Sequence, residues 1–169
     1  MGKCTLRRAC REELPLCLEI LSSGREFQRQ QGFVQWADGY PDGATVEKDL
    51  IAGDGWFLCV DGQPAGYFYL GFEGDPSYPL ILGAWHFEGA YAVVHRIAIS
   101  GAFRGLGLTE EAFRLIGELV LSKGVEILRI DTLEANARMR HVLQKNGFAY
   151  CGTVIQNGGD RMAFDKKLK

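Results

Sequence analysis

The stretch His95–Ile116, HRIAISGAFRGLGLTEEAFRLI, passes from an alternating apolar run through a glycine-studded turn into a helical pattern. The run belongs to AYAVVHRIAI, whose β-branched and apolar residues predict a strand. Beyond the turn, Leu108, Ala112, Leu115, Ile116 and Leu119 recur at helical spacing. Glu110, Glu111, Arg114, Glu118 and Lys123 lie outside that stripe, and Gly124 ends it. A strand that runs into Gly105-x-Gly107 and then a helix presents backbone N–H groups at the positive end of the helix. Glycine lets an anion approach them without a Cβ in the way. Arg104 adds a fixed charge, so the turn suits a pyrophosphate. The alternative is a tight strand-to-helix turn that needs glycine for its own geometry. No Gly-Lys-Ser/Thr follows, and position 110 is Glu, so neither the P-loop nor the GxGxxG dinucleotide pattern is present.

Working outward, CTLRR predicts an opening strand, and Leu14, Cys17, Leu18 and Leu21 a helix that Ser22-Ser23-Gly24 stops. Residues 25–36 form a second, weaker helix, ADGYPDG a loop, and TVEKDLIAG a short helix with Thr45 near its N-cap. WFLCV and AGYFYL around Asp61-Gly62 predict a hairpin. GFEGDPSYP reads as a surface loop, and residues 79–89 carry no clear pattern. VEILRID is a further strand, Met139, Val142 and Leu143 mark a helix stopped by Asn146-Gly147, and a final hairpin flanks QNGGD. This order suits an α/β chain with a mixed sheet and helices on both faces.

The 169 residues are one domain by length, with 47% hydrophobic and 24% charged residues. A net charge of −2 and a pI near 5.9 point away from nucleic acid and anionic membranes, with a slight lean toward cationic substrates. The sequence has no membrane span, and MGKCTLRRACREEL lacks a signal-peptide core, so a cytoplasmic location is expected. Leu6 breaks the myristoylation motif at Gly2. The five scattered cysteines form no CxxC, which predicts reduced thiols without zinc or disulfide frameworks.

Arg104-Gly105-Leu106-Gly107-Leu108-Thr109 resembles the Q/R-x-x-G-x-G/A acetyl-CoA loop of the GNAT N-acetyltransferase family. Asn136–Phe148, NARMRHVLQKNGF, resembles that family's later N-x-x-A…L-Y-x-K-x-G-F signature. The earlier helices and the first hairpin fit the family's order, so the likeness spans nearly the whole chain. It implies a single acetyltransferase domain over residues 1–169, with a mixed, mostly antiparallel central sheet flanked by helices. It implies acetyl-CoA as co-substrate and a small-molecule amine or peptide N-terminus as acceptor, and it admits a homodimer; no His/Cys/Asp cluster has metal spacing, so no metal is expected. Backbone groups of Ile97, Ala98 and Ile99 would pair with the pantetheine arm, and Arg104 to Thr109 would hold the pyrophosphate. Asn136 would bond the pantetheine or a water near the thioester, and Met139 is grouped with the same cofactor contacts. Two positions depart from the pattern. Thr109 replaces the usual Gly or Ala, and Leu143 stands where many members have the tyrosine that protonates the leaving thiolate.

Acyl transfer to an amine requires that the amine lose a proton, the carbonyl be polarised and the thiolate leave. A strand N–H at Ile97 or Ala98 suits the carbonyl. The resemblance suggests Asp131 as base, since some members carry a carboxylate at that offset before the asparagine; a strand-end cap is its structural alternative. His95 is a base by its titration range or a satisfied sheet histidine. His141 reads as solvent-facing, and His86 has no assigned role. Tyr150 is the tyrosine nearest Leu143 and either the proton donor or a sheet aromatic. Trp36 and Tyr40 offer flat walls for an acceptor pocket, with Asp38 and Asp42 as attractors for an amine. The expected mechanism is direct attack in a ternary complex, with a covalent route through Cys151 as a lesser alternative. The rival reading, fed by Leu143, is a CoA-binding sensor or scaffold without turnover.

Overall fold

The computed structural model describes residues 2–36 and 39–169. The strands are β1 (Cys4–Arg8), β2 (Gly55–Val60), β3 (Gln63–Gly71), β4 (Leu82–Gly83), β5 (Tyr91–Ile99), β6 (Ile127–Thr132), β7 (Ala149–Gln156) and β8 (Gly159–Lys167). The helices are α1 (Leu14–Gln30), α2 (Gly43–Ala52), α3 (Leu108–Ser122) and α4 (Ala137–Lys145). Among the described residues this is the mixed, mostly antiparallel α/β arrangement expected, with eight strands. The chain divides into two compact units, one of Met1–Leu70 with His95–Leu115, the other of Gly71–Val94 with Ile116–Lys169.

In the first unit, β1 pairs antiparallel with β2, and β2 with β3 across the Asp61-Gly62 turn. The amide of Ser100, just past β5, donates to the Ala65 carbonyl of β3 at 2.8 Å. The core gathers Cys17, Ile20 and Leu21 of α1, Val46 and Leu50 of α2, and Phe57, Tyr67 and Ala98 of the strands.

The stop expected at Ser22-Ser23-Gly24 does not occur: α1 continues to Gln30, and no separate helix covers residues 25–36. Its buried face is Cys17, Ile20, Leu21, Gly24 and Gln28, a helical stripe that runs through the glycine. Burying an Ile or Leu contributes roughly 1.5–3 kcal/mol each, against about 1 kcal/mol for glycine in a helix interior. Packing therefore carries the helix past the local break signal. Gly24 serves close approach, since a Cβ there would lie 2.7 Å from the Ala98 Cβ and 3.2 Å from the Trp36 ring.

Thr45 lies near the N-cap of α2 as expected: Asp42 is the cap, and its carboxylate accepts from the Thr45 amide at 2.8 Å.

In the second unit, Tyr91–Val93 of β5 run parallel to Ile127–Arg129 of β6. Strand β6 pairs antiparallel with β8, β8 with β7, and β7 with the two-residue β4. Cys151 is the extra residue of a bulge in β7, between the pairs Tyr150↔Phe164 and Gly152↔Ala163. The segment read as a surface loop supplies the centre of this unit's core: Tyr78 is fully buried with Val93, Val154 and Ala163. Its ring packs 4.9 Å from Trp85 and 6.3 Å from Tyr91, centroid to centroid.

Candidate functional site

The glycine turn belongs to the first unit. After β5, a single helical turn, Gly101–Phe103, leads into Arg104. The Gly101 amide donates to Ser23 Oγ at 2.8 Å, which anchors the turn to α1. Arg104 Nη2 donates to the Ile99 carbonyl at 2.5 Å, and the guanidinium stacks 4.1 Å above the Phe27 ring. The charge expected beside the turn is thus held in place. Gly105 and Gly107 adopt φ of 84° and 71°, the left-handed region that costs other residues about 1–2 kcal/mol. A Cβ at either would meet nothing within 4 Å, so the backbone is open on that side. Leu108 is buried and begins α3, while Leu106 is exposed. The amides of the first helical turn have no intrahelical acceptor, which leaves them suited to an anion. The acidic Glu111 is paired with Arg114 at 2.5 Å, which offsets its charge near the helix start.

Strand β5 carries a feature the sequence did not signal. Arg96 has φ of 53° in mid-strand, where an ordinary side chain is strained. Its Nε and Nη2 donate to the two oxygens of buried Asp49, at 3.0 and 2.6 Å, and Nη1 donates to Tyr40 Oη at 3.2 Å. Tyr67 Oη donates to the same carboxylate at 2.8 Å. Burial opposes the Arg96 charge, but the hydrogen bonds and charge of Asp49 outweigh it and raise the guanidinium pKa. Burial first, then Asp49, push the Tyr67 phenol upward, so it stays a donor. The left-handed residue breaks the two-residue alternation: Ala92–Val94 are buried in a row, whereas His95, Arg96 and Ile97 are half-buried. Backbone groups of Ile97, Ala98 and Ile99 follow this break. His95 stacks on Tyr69, with centroids 5.5 Å apart and planes at 28°, and Arg96 lies 4.8 Å over the same ring.

Trp36, expected as a wall of an acceptor pocket, is buried in the first unit's core. Tyr40 is half-buried, with its carbonyl accepting from Arg25 at 2.7 Å as well as the Arg96 contact. Asp42 is committed as a cap, and Asp38 lies outside the described residues.

In the second unit, Asp131 accepts from Tyr78 Oη at 2.7 Å. Burial, then the Asp131 charge, raise the Tyr78 phenol well above its ordinary range, so the proton stays on the phenol. Asn136 caps α4, its Oδ1 accepting from the Met139 amide at 3.1 Å. Met139 is half-buried, and Leu143 is wholly buried. Tyr150 is half-exposed and meets Phe164 edge-on at 5.9 Å. His141 is exposed, as expected. His86 lies against Asp165 and Cys151, which the sequence separates by 79 and 65 residues and which no local spacing brings together. Burial, then Asp165, push the Cys151 thiol up to about 12, which makes it a poor nucleophile.

The open, left-handed glycine turn between β5 and α3 is a backbone geometry that can accept an anion. The acetyltransferase (GNAT) family model matches residues 21–148. The chain is similar over 97% of its length to 95% of a GNAT-family acetyltransferase from Streptococcus agalactiae, at 32% identity and a TM-score of 0.86. It thus belongs to the GNAT acetyltransferase family and is an acyltransferase. Its fold is shared with a GNAT-family acetyltransferase from Listeria monocytogenes (19% identity, 98% and 95% of the two chains, TM-score 0.78). It is shared also with AAC(6')-Ib in complex with ribostamycin and coenzyme A (21% identity, 98% and 94%, TM-score 0.72). A comparison with curated protein sequences finds no match.

Proposed function

We propose that this chain transfers the acetyl group of acetyl-CoA to the primary amine of a small molecule or a peptide N-terminus, by direct attack in a ternary complex. The observation that carries the reading is the open turn at Gly105 and Gly107, with Arg104 fixed beside it by Ile99 and Phe27. Amides from Arg104 to Thr109 hold the diphosphate, and the Thr109 hydroxyl adds a donor where the family has a smaller residue. Backbone groups of Ile97 to Ile99 pair with the pantetheine arm, and one of the N–H groups polarises the thioester carbonyl. Asn136 and Met139 contribute to the same cofactor.

Asp131 takes the ammonium proton, directly or through water, while the Tyr78 hydrogen bond orients its carboxylate. His95 is the second candidate for that role. Tyr150 returns a proton to the departing thiolate. With an ordinary thiol pKa near 8.5, the thiolate also leaves without a dedicated acid, so Leu143 does not block turnover. A covalent acyl-enzyme on Cys151 is disfavoured by the raised thiol pKa. Support for a small amine as acceptor comes from the relative AAC(6')-Ib, which binds ribostamycin with coenzyme A.

The test is free-thiol release from acetyl-CoA in the presence of a broad amine panel. The expected result is release that depends on one amine class. Asp131→Asn should then lower kcat at least tenfold with CoA affinity unchanged. Tight CoA binding without amine-dependent release would overturn the reading.

A further inference from the structure

Among the described residues, His86, Cys151 and Asp165 place one donor atom each within 4.8 Å of one another. His86 Nδ1 lies 2.8 Å from Asp165 Oδ1 and 3.2 Å from Cys151 Sγ. All three belong to the second unit: His86 to the segment 84–90 between β4 and β5, Cys151 to β7 and Asp165 to β8.

The geometry is built, not incidental. Asp165 is fully buried, and its Oδ2 accepts from the backbone amides of His86 and Phe87 at 2.7 and 3.2 Å. Those two bonds fix the carboxylate so that Oδ1 is the oxygen offered to the imidazole. The bulge at Cys151 takes its side chain out of the alternation of β7. Strand β4 crosses so close that a Cβ on Gly83 would meet the Cys151 carbonyl oxygen, and one on Gly152 the Leu82 carbonyl oxygen. Only glycine allows this approach at φ of 133° and 146°, and it brings the chain leading to His86 alongside β7. Arg129 Nη2 donates to the Phe87 carbonyl at 2.8 Å and steadies the same segment.

Two chemistries use such a trio. In a nucleophile relay the imidazole takes the thiol on one nitrogen and the carboxylate on the other. Here both approach Nδ1, so the relay geometry is absent. Neighbouring sulfur, nitrogen and oxygen donors are instead the ligand set of a borderline divalent cation, and the His86 and Phe87 amides hold the carboxylate in place.

We propose that His86 Nδ1, Cys151 Sγ and Asp165 Oδ1 bind one zinc-class divalent cation, which clamps segment 84–90 to β7 and β8. On binding, the thiol proton passes to solvent, the neutral imidazole keeps its proton on Nε2, and water completes a four-coordinate site. Metal–ligand bonds of about 2.0–2.3 Å set donors roughly 3.3–3.7 Å apart in a tetrahedron. The separations of His86 Nδ1 from Asp165 Oδ1 and Cys151 Sγ, 2.8 and 3.2 Å, lengthen by roughly 0.3–0.6 Å to reach that spacing. The movement falls to His86, whose side chain is 45% exposed.

The test uses the full chain after chelator treatment, with Co²⁺ as the probe and Zn²⁺ as competitor. The expected result is one Co²⁺ per chain with a thiolate-to-cobalt charge-transfer band. Zn²⁺ should remove the band and raise Tm, since a cation bound to the folded state stabilises it. Cys151→Ala should abolish the band and the rise in Tm, and His86→Ala should weaken Co²⁺ affinity at least tenfold. Asp165→Asn is a poor probe, because the buried carboxylate supports two backbone amides. The two other variants avoid that difficulty, their folding checked by circular dichroism. Absence of the band from the natural chain, or its persistence at full affinity in either variant, overturns the site.

Discussion

Arg96 is held in a left-handed mid-strand conformation by a two-pronged pair with Asp49, at 3.0 and 2.6 Å. Both side chains are withdrawn from water, Arg96 at 11% and Asp49 at 5% exposure. Removing one member leaves the other buried and uncompensated, which costs about 3–5 kcal/mol. Asp49→Ala should therefore destabilise the chain by about that much in urea unfolding. Asp49→Ala with Arg96→Ala should cost clearly less than the sum of the single changes. Additive losses would mean the two side chains act independently.

Gly24→Ala improves local helix propensity by about 1 kcal/mol yet should lower stability by about 1–3 kcal/mol. The reason is the 2.7 Å approach of the new Cβ to Ala98. Ala98→Gly in the same chain should recover part of the loss. Thermal unfolding of the two variants checks the sign, and a stabilised Gly24→Ala would refute the close-packing account.

Gly105→Ala and Gly107→Ala should each cost the fold only about 1–2 kcal/mol, the left-handed backbone penalty, because no protein atom meets the added Cβ. If the turn holds the diphosphate, the same changes should weaken CoA binding at least tenfold in calorimetry. Unchanged CoA affinity would separate the turn from the cofactor while leaving the fold intact.

Glu13 accepts two bonds from Arg7, both at 2.9 Å, and one from the Cys10 amide at 2.9 Å. The Arg7 hydrogen bond, partly opposed by burial, brings its carboxyl from 4.5 to about 2. A depressed folded pKa means that the unfolded chain takes up a proton first, so stability is present above about pH 4.5 and is lost as the pH falls toward 2. Glu13→Gln should flatten the stability-versus-pH curve in that window. At neutral pH the cost should stay at or below about 1 kcal/mol, since the Arg7 partner is 44% exposed and screened. An unchanged acid limb would remove this pair from the acid response.

The glycine turn and its helix were legible because their signals are local: a strand period, two glycines and a helical stripe within one continuous stretch. The first hairpin was legible for the same reason, from Asp61-Gly62 between apolar runs. The Gly24 stop misled because a local break signal is weak against the burial of Ile20 and Leu21 on either side of one stripe. Tyr78 misled in the opposite sense, since its polar neighbours mark a loop while its ring fills the core of the second unit.

By itself the sequence determined the order of the strands other than β4, the places of α2, α3 and α4, and the turn whose backbone suits a phosphate. Both follow from short-range periodicity and from the few residues that tolerate left-handed backbone. Only the tertiary structure decided which polar groups meet: Asp49 with Arg96 across 47 residues, Tyr78 with Asp131 across 53, His86 with Asp165 across 79. Such partners are chosen by strand register and bulge position, which depend on the whole sheet packing at once, so no local pattern records them.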